Sequence, residues 1–268
     1  DRAANNLAQF GVQLLTAEQA LFHQHIDYFF LAVGLVRPHV PLVAPASFFE
    51  PYVAKQMKLP PGVKDDWNDI PKAGISKNSE RSGLDADAKK QQVLEAYYAS
   101  VTYMDAQVGK MIDAVDRLGL RDNTIIVFTS DHGEEFYEHG GFYHGVTLYE
   151  EQLKLPLIIK HPGQKPEVRT DIARQIDIAP TIAGLFEINA PNEWEGRNLF
   201  DETPAPTQTI AEENHQGNIL QSIRQADGQS LKLIIANQDN PRGLAPSEVY
   251  SLTKDPGEKS LLTLPTET

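Results

Sequence analysis

The sequence predicts an α/β protein, a sheet of buried strands lying between helices, followed by a small α+β subdomain with an antiparallel sheet. Three observations predict it. Residues 28–36, 125–129 and 155–159 are short apolar runs without polar alternation, the pattern of strands covered on both faces. Residues 85–118 carry apolar side chains at three- and four-residue spacing, the signature of a long amphipathic helix. A composition shift at Asp201–Pro206 is followed by short strand and turn signals. The expected division is therefore 1–200 for the main domain and 201–268 for the appendage.

Taken in order, residues 1–25 place Leu7, Phe10, Leu14, Leu15, Leu21 and Phe22 at helical spacing, with a break near Gly11. The run Tyr28–Val36 reads as a strand that Arg37-Pro38-His39-Val40-Pro41 ends, because proline cannot continue a central strand. Residues 42–86 are rich in Pro, Lys, Asp and Ser and read as a long surface excursion. In the helix that follows, Val93, Tyr97, Val101, Met104, Val108 and Met111 are expected in the core, its tyrosines included, and Gly119 stops it. Glu95, Asp105 and Asp113 read as its solvated face.

The run Ile125–Thr129 stops on Ser130, Asp131, His132 and Gly133. Chemistry in open α/β sheets sits just beyond the carboxyl ends of such strands. Adjacent oxygen and nitrogen donors there make half of a metal site. The loop beyond holds Glu134, Glu135, Glu138, His139, His144 and several glycines, which suits close approach to a ligand better than a helix interior. After the strand Leu155–Ile159, Asp177 opens a short helix. Ile219–Arg224 and Leu231–Ala236 flank Asp227-Gly228, a hairpin signal.

The 268 residues with 41% apolar content suffice for a sizeable core. With 37 acidic against 24 basic residues, the net charge of −13 argues against nucleic acid or an anionic membrane as partner. No run of about 18 apolar residues exists to span a bilayer, and the first residues are not a signal peptide. Cysteine is absent, so disulfides are excluded.

Ser-Asp-His-Gly at 130–133, Glu-His-Gly at 138–140, His-Gly-x-x-Leu-Tyr-Glu-Glu at 144–151 and Leu-Pro-Leu-Ile-Ile at 155–159 together resemble the sulfatase branch of the alkaline-phosphatase superfamily. Residues 97–133 and Arg37-Pro38-His39-Val40-Pro41 resemble its iduronate-2-sulfatase-like group, and the Glu248–Glu258 stretch resembles the Leu-Tyr-Asp-Leu-x-x-Asp-Pro-x-Glu ending of sulfatases. The resemblance implies an alkaline-phosphatase-like sandwich with a central, mostly parallel sheet, and hydrolysis of sulfate monoesters. It implies Asp131 and His132 as ligands of Ca²⁺ or another divalent cation. His39 falls on the family's substrate-contacting histidine, and Arg37 stands where the group has a lysine. His144 likewise replaces a lysine that contacts sulfate and the leaving oxygen; a histidine donates a proton near neutral pH more readily. The Asp177-x-x-Pro-Thr segment and His139 are read as structural.

The family's nucleophile is a formylglycine made from Cys or Ser in Cys/Ser-x-Pro-x-Arg, and no such motif occurs here. Asp65-Asp66, the one adjacent aspartate pair, follows prolines instead of a buried strand and reads as a loop. The expectation is that the chain is the C-terminal part of a longer protein. Its expected partners are that N-terminal segment and a sulfated small molecule or saccharide. A phosphoester or phosphonate hydrolase of the same superfamily, or a binding protein that lost its nucleophile, are the alternatives.

Overall fold

A computed structural model describes residues 29–60, 86–139, 141–215, 217–226, 230–240 and 245–262. The expected helices within 1–25, Asp65-Asp66 and Asp227-Gly228 lie outside these residues. The chain divides into two compact units, one made of 1–58 with 86–119 and the other of 59–85 with 120–268.

In the first unit the predicted helix is α1, Asp87–Arg117, capped beyond its end by Gly119 at φ +68°. Leu94, Ala99 and Ser100 are its buried residues. The expectation that its tyrosines are core fails at Tyr98, which is 47% exposed and leans on Tyr52. Two short 3-10 turns, Ala46–Phe48 and Ala54–Gln56, lie along the helix. They are tied to it by Tyr52 Oη on Thr102 Oγ1 at 2.6 Å and by Gln91 donating to the Met57 carbonyl at 3.0 Å. Phe48 meets Tyr103 edge-on.

The described part of the expected strand at 28–36 forms no ladder with any described residue, and Phe29, Phe30, Leu31 and Val36 are exposed. β-Propensity prepares a residue for a pleated surface, and a strand forms only where a partner supplies the ladder.

The second unit holds the other two apolar runs, and they are neighbours. β1, Ile126–Thr129, pairs antiparallel with β4, Leu157–Lys160, in the register Ile126↔Lys160 to Thr129↔Leu157. Neither is buried on both faces as expected: β1 is only half-buried and Ile158 of β4 is 61% exposed. Between them come the two-residue ribbon β2, Glu135–Phe136, with β3, Phe142–Tyr143, and the single helical turn α2, Glu150–Leu153. Beyond β4, α3 spans Ile178–Leu185.

The C-terminal part is an antiparallel sheet in the order β5 (Gln208–His215), β6 (Asn218–Gln225), β7 (Leu231–Ala236), β8 (Ser247–Ser251). β6 alternates as a half-buried strand should, with Asn218, Leu220 and Ser222 inward and Ile219, Gln221 and Ile223 outward. Leu220, Ile234, Ala236 and Tyr250 from the inner face form one core cluster with Leu148, and Tyr149, Leu153 and Ala211 pack against it. The loop after β3 is thus anchored on the C-terminal sheet. Among the described residues no helix is long and apolar enough to cross a membrane.

Candidate functional site

Ser130, Asp131 and His132 follow β1 directly, and the chain is pinned there by its own polar groups. Ser130 Oγ donates to the His132 carbonyl at 2.8 Å, and the His132 N–H donates to Asp131 Oδ1 at 3.0 Å. Gln175 donates one amide group to both the Ser130 and Asp131 carbonyls, at 3.1 and 2.7 Å. Gly133 then passes against α2, its N–H on the Gln152 carbonyl at 2.8 Å, and a Cβ at this position would run into the Glu151 carbonyl. The Glu134 N–H continues the contact on the Glu151 carbonyl at 3.1 Å.

His132 Nδ1 lies 2.8 Å from the Gly133 carbonyl. A carbonyl only accepts, so Nδ1 carries a hydrogen and Nε2 is the nitrogen on the Asp131 side. Nε2 lies 3.8 Å from Asp131 Oδ2, and the Asp131 side chain is 87% exposed. An oxygen and a nitrogen donor at that separation fit one divalent cation between them. Among the described residues no group of three or more His, Cys, Asp or Glu side chains is arranged to hold a metal ion.

His144 reaches this point from the far side of the loop. Its ring lies on that of His132, centroids 4.0 Å apart and planes 31° from parallel. Nδ1 of His144 donates to both oxygens of Glu134, at 3.0 and 3.2 Å, with Glu134 largely buried. The carboxylate fixes the ring and its tautomer, which turns Nε2 to the opposite side. Spacing along the chain gave no signal for Glu134. The predicted residues Asp131, His132 and His144 are therefore brought together. Arg37 and His39 belong to the first unit, where Arg37 Nη1 donates to the His39 carbonyl at 3.1 Å and His39 Nδ1 meets the Val40 carbonyl at 2.7 Å.

His139 differs from both. It is buried, stacked on Tyr149 at 3.7 Å, with Nδ1 on Glu151 at 2.7 Å and Nε2 on the Glu258 carbonyl at 3.1 Å. Both partners are acceptors, so both nitrogens must donate and the ring is an imidazolium. Burial works against that charge, but the Glu151 hydrogen bond and charge, the Glu258 carbonyl and Glu135 outweigh it and hold the ring at a pKa of about 9. The neighbouring Glu135, fully buried on the Gly141 N–H at 2.7 Å, is pushed up to about 7 by its burial and by the charge of Glu151.

Asp177 is structural, as expected. Fully buried, it takes the Arg174 guanidinium at 2.8 Å and the Arg197 N–H at 2.9 Å, while Thr181 ties α3 to the Leu199 N–H.

A family model described as Sulfatase matches residues 9–188, and one described as N-sulphoglucosamine sulphohydrolase, C-terminal, matches residues 137–263. The arylsulfatase of Clostridium perfringens is 34% identical over 181 residues, which cover 65% of this chain and 37% of that protein. Human iduronate 2-sulfatase is 29% identical over 203 residues, covering 61% of this chain and 36% of that protein. Among solved structures, the phosphonate monoester hydrolase of Agrobacterium radiobacter superposes with a TM-score of 0.74 at 20% identity, covering 92% of this chain and 55% of that one. The chain thus spans between about a third and a half of the proteins it matches, and its fold is that of the alkaline-phosphatase superfamily. With the Asp131–His132 pair at a strand end and a family model covering 180 of its residues (188 − 9 + 1), the chain belongs to the sulfatase family.

Proposed function

We propose that this chain supplies the leaving-group side and half of the cation site of a sulfuric-ester hydrolase whose nucleophile, a formylglycine, lies outside residues 1–268. The observation that carries the reading is the convergence of the Asp131–His132 donor pair with the His144 ring, 4.0 Å from His132. Cleavage of a sulfate monoester needs a nucleophile, positive charge at the sulfuryl oxygens and a proton for the departing oxygen. Asp131 and His132 would hold Ca²⁺ or another divalent cation, which supplies Lewis-acid charge, while the formylglycine supplies the attacking oxygen. Glu134 holds His144 by Nδ1, so Nε2 is the nitrogen that gives its proton to the leaving group or meets a sulfuryl oxygen. The name of the human relative, iduronate 2-sulfatase, supports a sulfated saccharide as the substrate class.

The competing reading is a phosphonate or phosphate monoester substrate, supported by the structural neighbour named above. Assay of the intact protein separates the two. Hydrolysis of 4-nitrophenyl sulfate that a chelator abolishes and Ca²⁺ or Mn²⁺ restores is the expected result. A preference for phenylphosphonate esters under the same conditions would replace sulfate by phosphonate, and neither activity would favour a binding role.

A further inference from the structure

We propose that Glu258, in the turn after β8, is a positioning residue for the loop carrying His132 and His144, and that it acts from behind through His139, Glu150 and Glu151. It makes three contacts at once. Its carbonyl accepts from His139 Nε2 at 3.1 Å, its Oε2 accepts the Glu150 N–H at 2.6 Å, and its Oε1 pairs with Lys232 Nζ at 2.7 Å. Glu150 also takes Lys232 at 3.2 Å and Arg224 at 2.9 Å, so the start of α2 is fixed to β6 and β7. From α2, Glu151 holds His139 at 2.7 Å, and the Gln152 and Glu151 carbonyls hold the N–H groups of Gly133 and Glu134. Those are the residue after His132 and the residue that anchors His144. The C-terminal sheet thereby reaches the candidate site without entering it.

The residue type follows from these demands. Lys232 is fully buried between the Glu258 and Glu150 carboxylates, and an amide at 258 would remove the nearer of its two counter-charges. Glu258 also sits at φ +51°, a left-handed backbone that glycine adopts freely and other residues rarely do. Glu258→Gly therefore removes the carboxylate while suiting the backbone and keeping the carbonyl.

The effect of Glu258 on turnover rests on the functional reading above, whereas its hold on the loop does not. The test uses the intact protein and two readouts, hydrogen exchange of the Gly133 and Glu134 amides and hydrolysis of an aryl sulfate. For Glu258→Gly we expect roughly tenfold faster exchange at those amides, the loss of about one charged hydrogen bond. The amides of α3 should be unchanged, and kcat should fall with KM little altered. Glu258→Gln, which keeps an oxygen for the Glu150 N–H, should show the same pattern more weakly. Unchanged exchange at Gly133 and Glu134, or equal acceleration throughout α3 and β5, would overturn the proposal. Faster exchange with unaltered turnover would support the positioning role and instead remove the loop from the chemistry.

Discussion

His139 and His144 lie in one short loop and are both bonded to a glutamate through Nδ1, yet they sit in opposite surroundings. His139 is buried and its second nitrogen is spent on the Glu258 carbonyl, so its proton is held to a pKa of about 9. His144 keeps 23% of its side chain exposed and lies on His132 beside an open carboxylate. A carboxylate partner alone therefore does not make a histidine functional. At His139 the second nitrogen meets a backbone acceptor, which makes the ring a structural cation, whereas the proposed role of His144 is that of an acid.

The difference predicts that mutations on the two sides separate activity from stability. The largest effect expected is in turnover. Asp131→Asn in the intact protein should lower kcat/KM by about 10²–10³ for all sulfate esters alike, because it weakens charge stabilisation common to all. Its melting temperature should hardly move, since the side chain is exposed. A large drop in Tm would show that Asp131 is structural.

His139→Leu should do the reverse. It leaves Glu151 without its cation, and breaking a buried pair costs about 3–5 kcal/mol, on the order of 10 °C in Tm for a chain of this size. Differential scanning calorimetry checks this; an unchanged Tm would mean that the imidazolium contributes nothing.

The pH dependence has a defined sign. The pKa of His139 is raised from an ordinary 6.5 to about 9, so its stabilisation is complete below about 6.5 and is lost as pH rises through 9. That of Glu135 is raised from 4.5 to about 7, so it too favours the protonated form, and stability falls as pH rises through 7. Thermal melts between pH 4 and pH 10 should decline across both windows, from 4.5 to about 7 for Glu135 and from 6.5 to about 9 for His139, and His139→Leu should remove the upper one. A Tm that climbs with pH would contradict both assignments.

The smallest effect belongs to the first unit. Tyr98→Ala, at a position 47% exposed, should cost within about 0.5 kcal/mol, measurable by urea unfolding. A loss of several kcal/mol would restore Tyr98 to the core, where the helix's tyrosines are expected.

What was legible in the sequence was whatever local order determines. α1, β1, β4, β6 and β7 follow from spacing or apolar runs within single segments, each close to its expected bounds. Asp131, His132 and His144 meet because one glycine-rich loop carries all of them. What escaped depends on partners far along the chain. The run 29–36 has strand composition but no ladder among the described residues, and β8 exists because β7 offers its edge, Leu233↔Val249. The ionised state of His139 depends on Glu258, 119 residues away, and no spacing rule reaches that far. Glu134 escaped for a different reason, since the adjacent Glu134 and Glu135 look alike until the fold buries one and aims the other at His144.

The central claim is that His144 serves the departing oxygen. It is tested most directly by comparing His144→Ala with the unaltered intact protein over aryl sulfates of graded leaving-group pKa. An activated ester needs little proton donation and should lose little, whereas an alkyl or saccharide sulfate should lose about 10²–10⁴ in kcat. The dependence of log kcat on leaving-group pKa should therefore steepen in the variant. Loss of the same factor across the series would contradict the assignment and leave His144 a structural neighbour of His132.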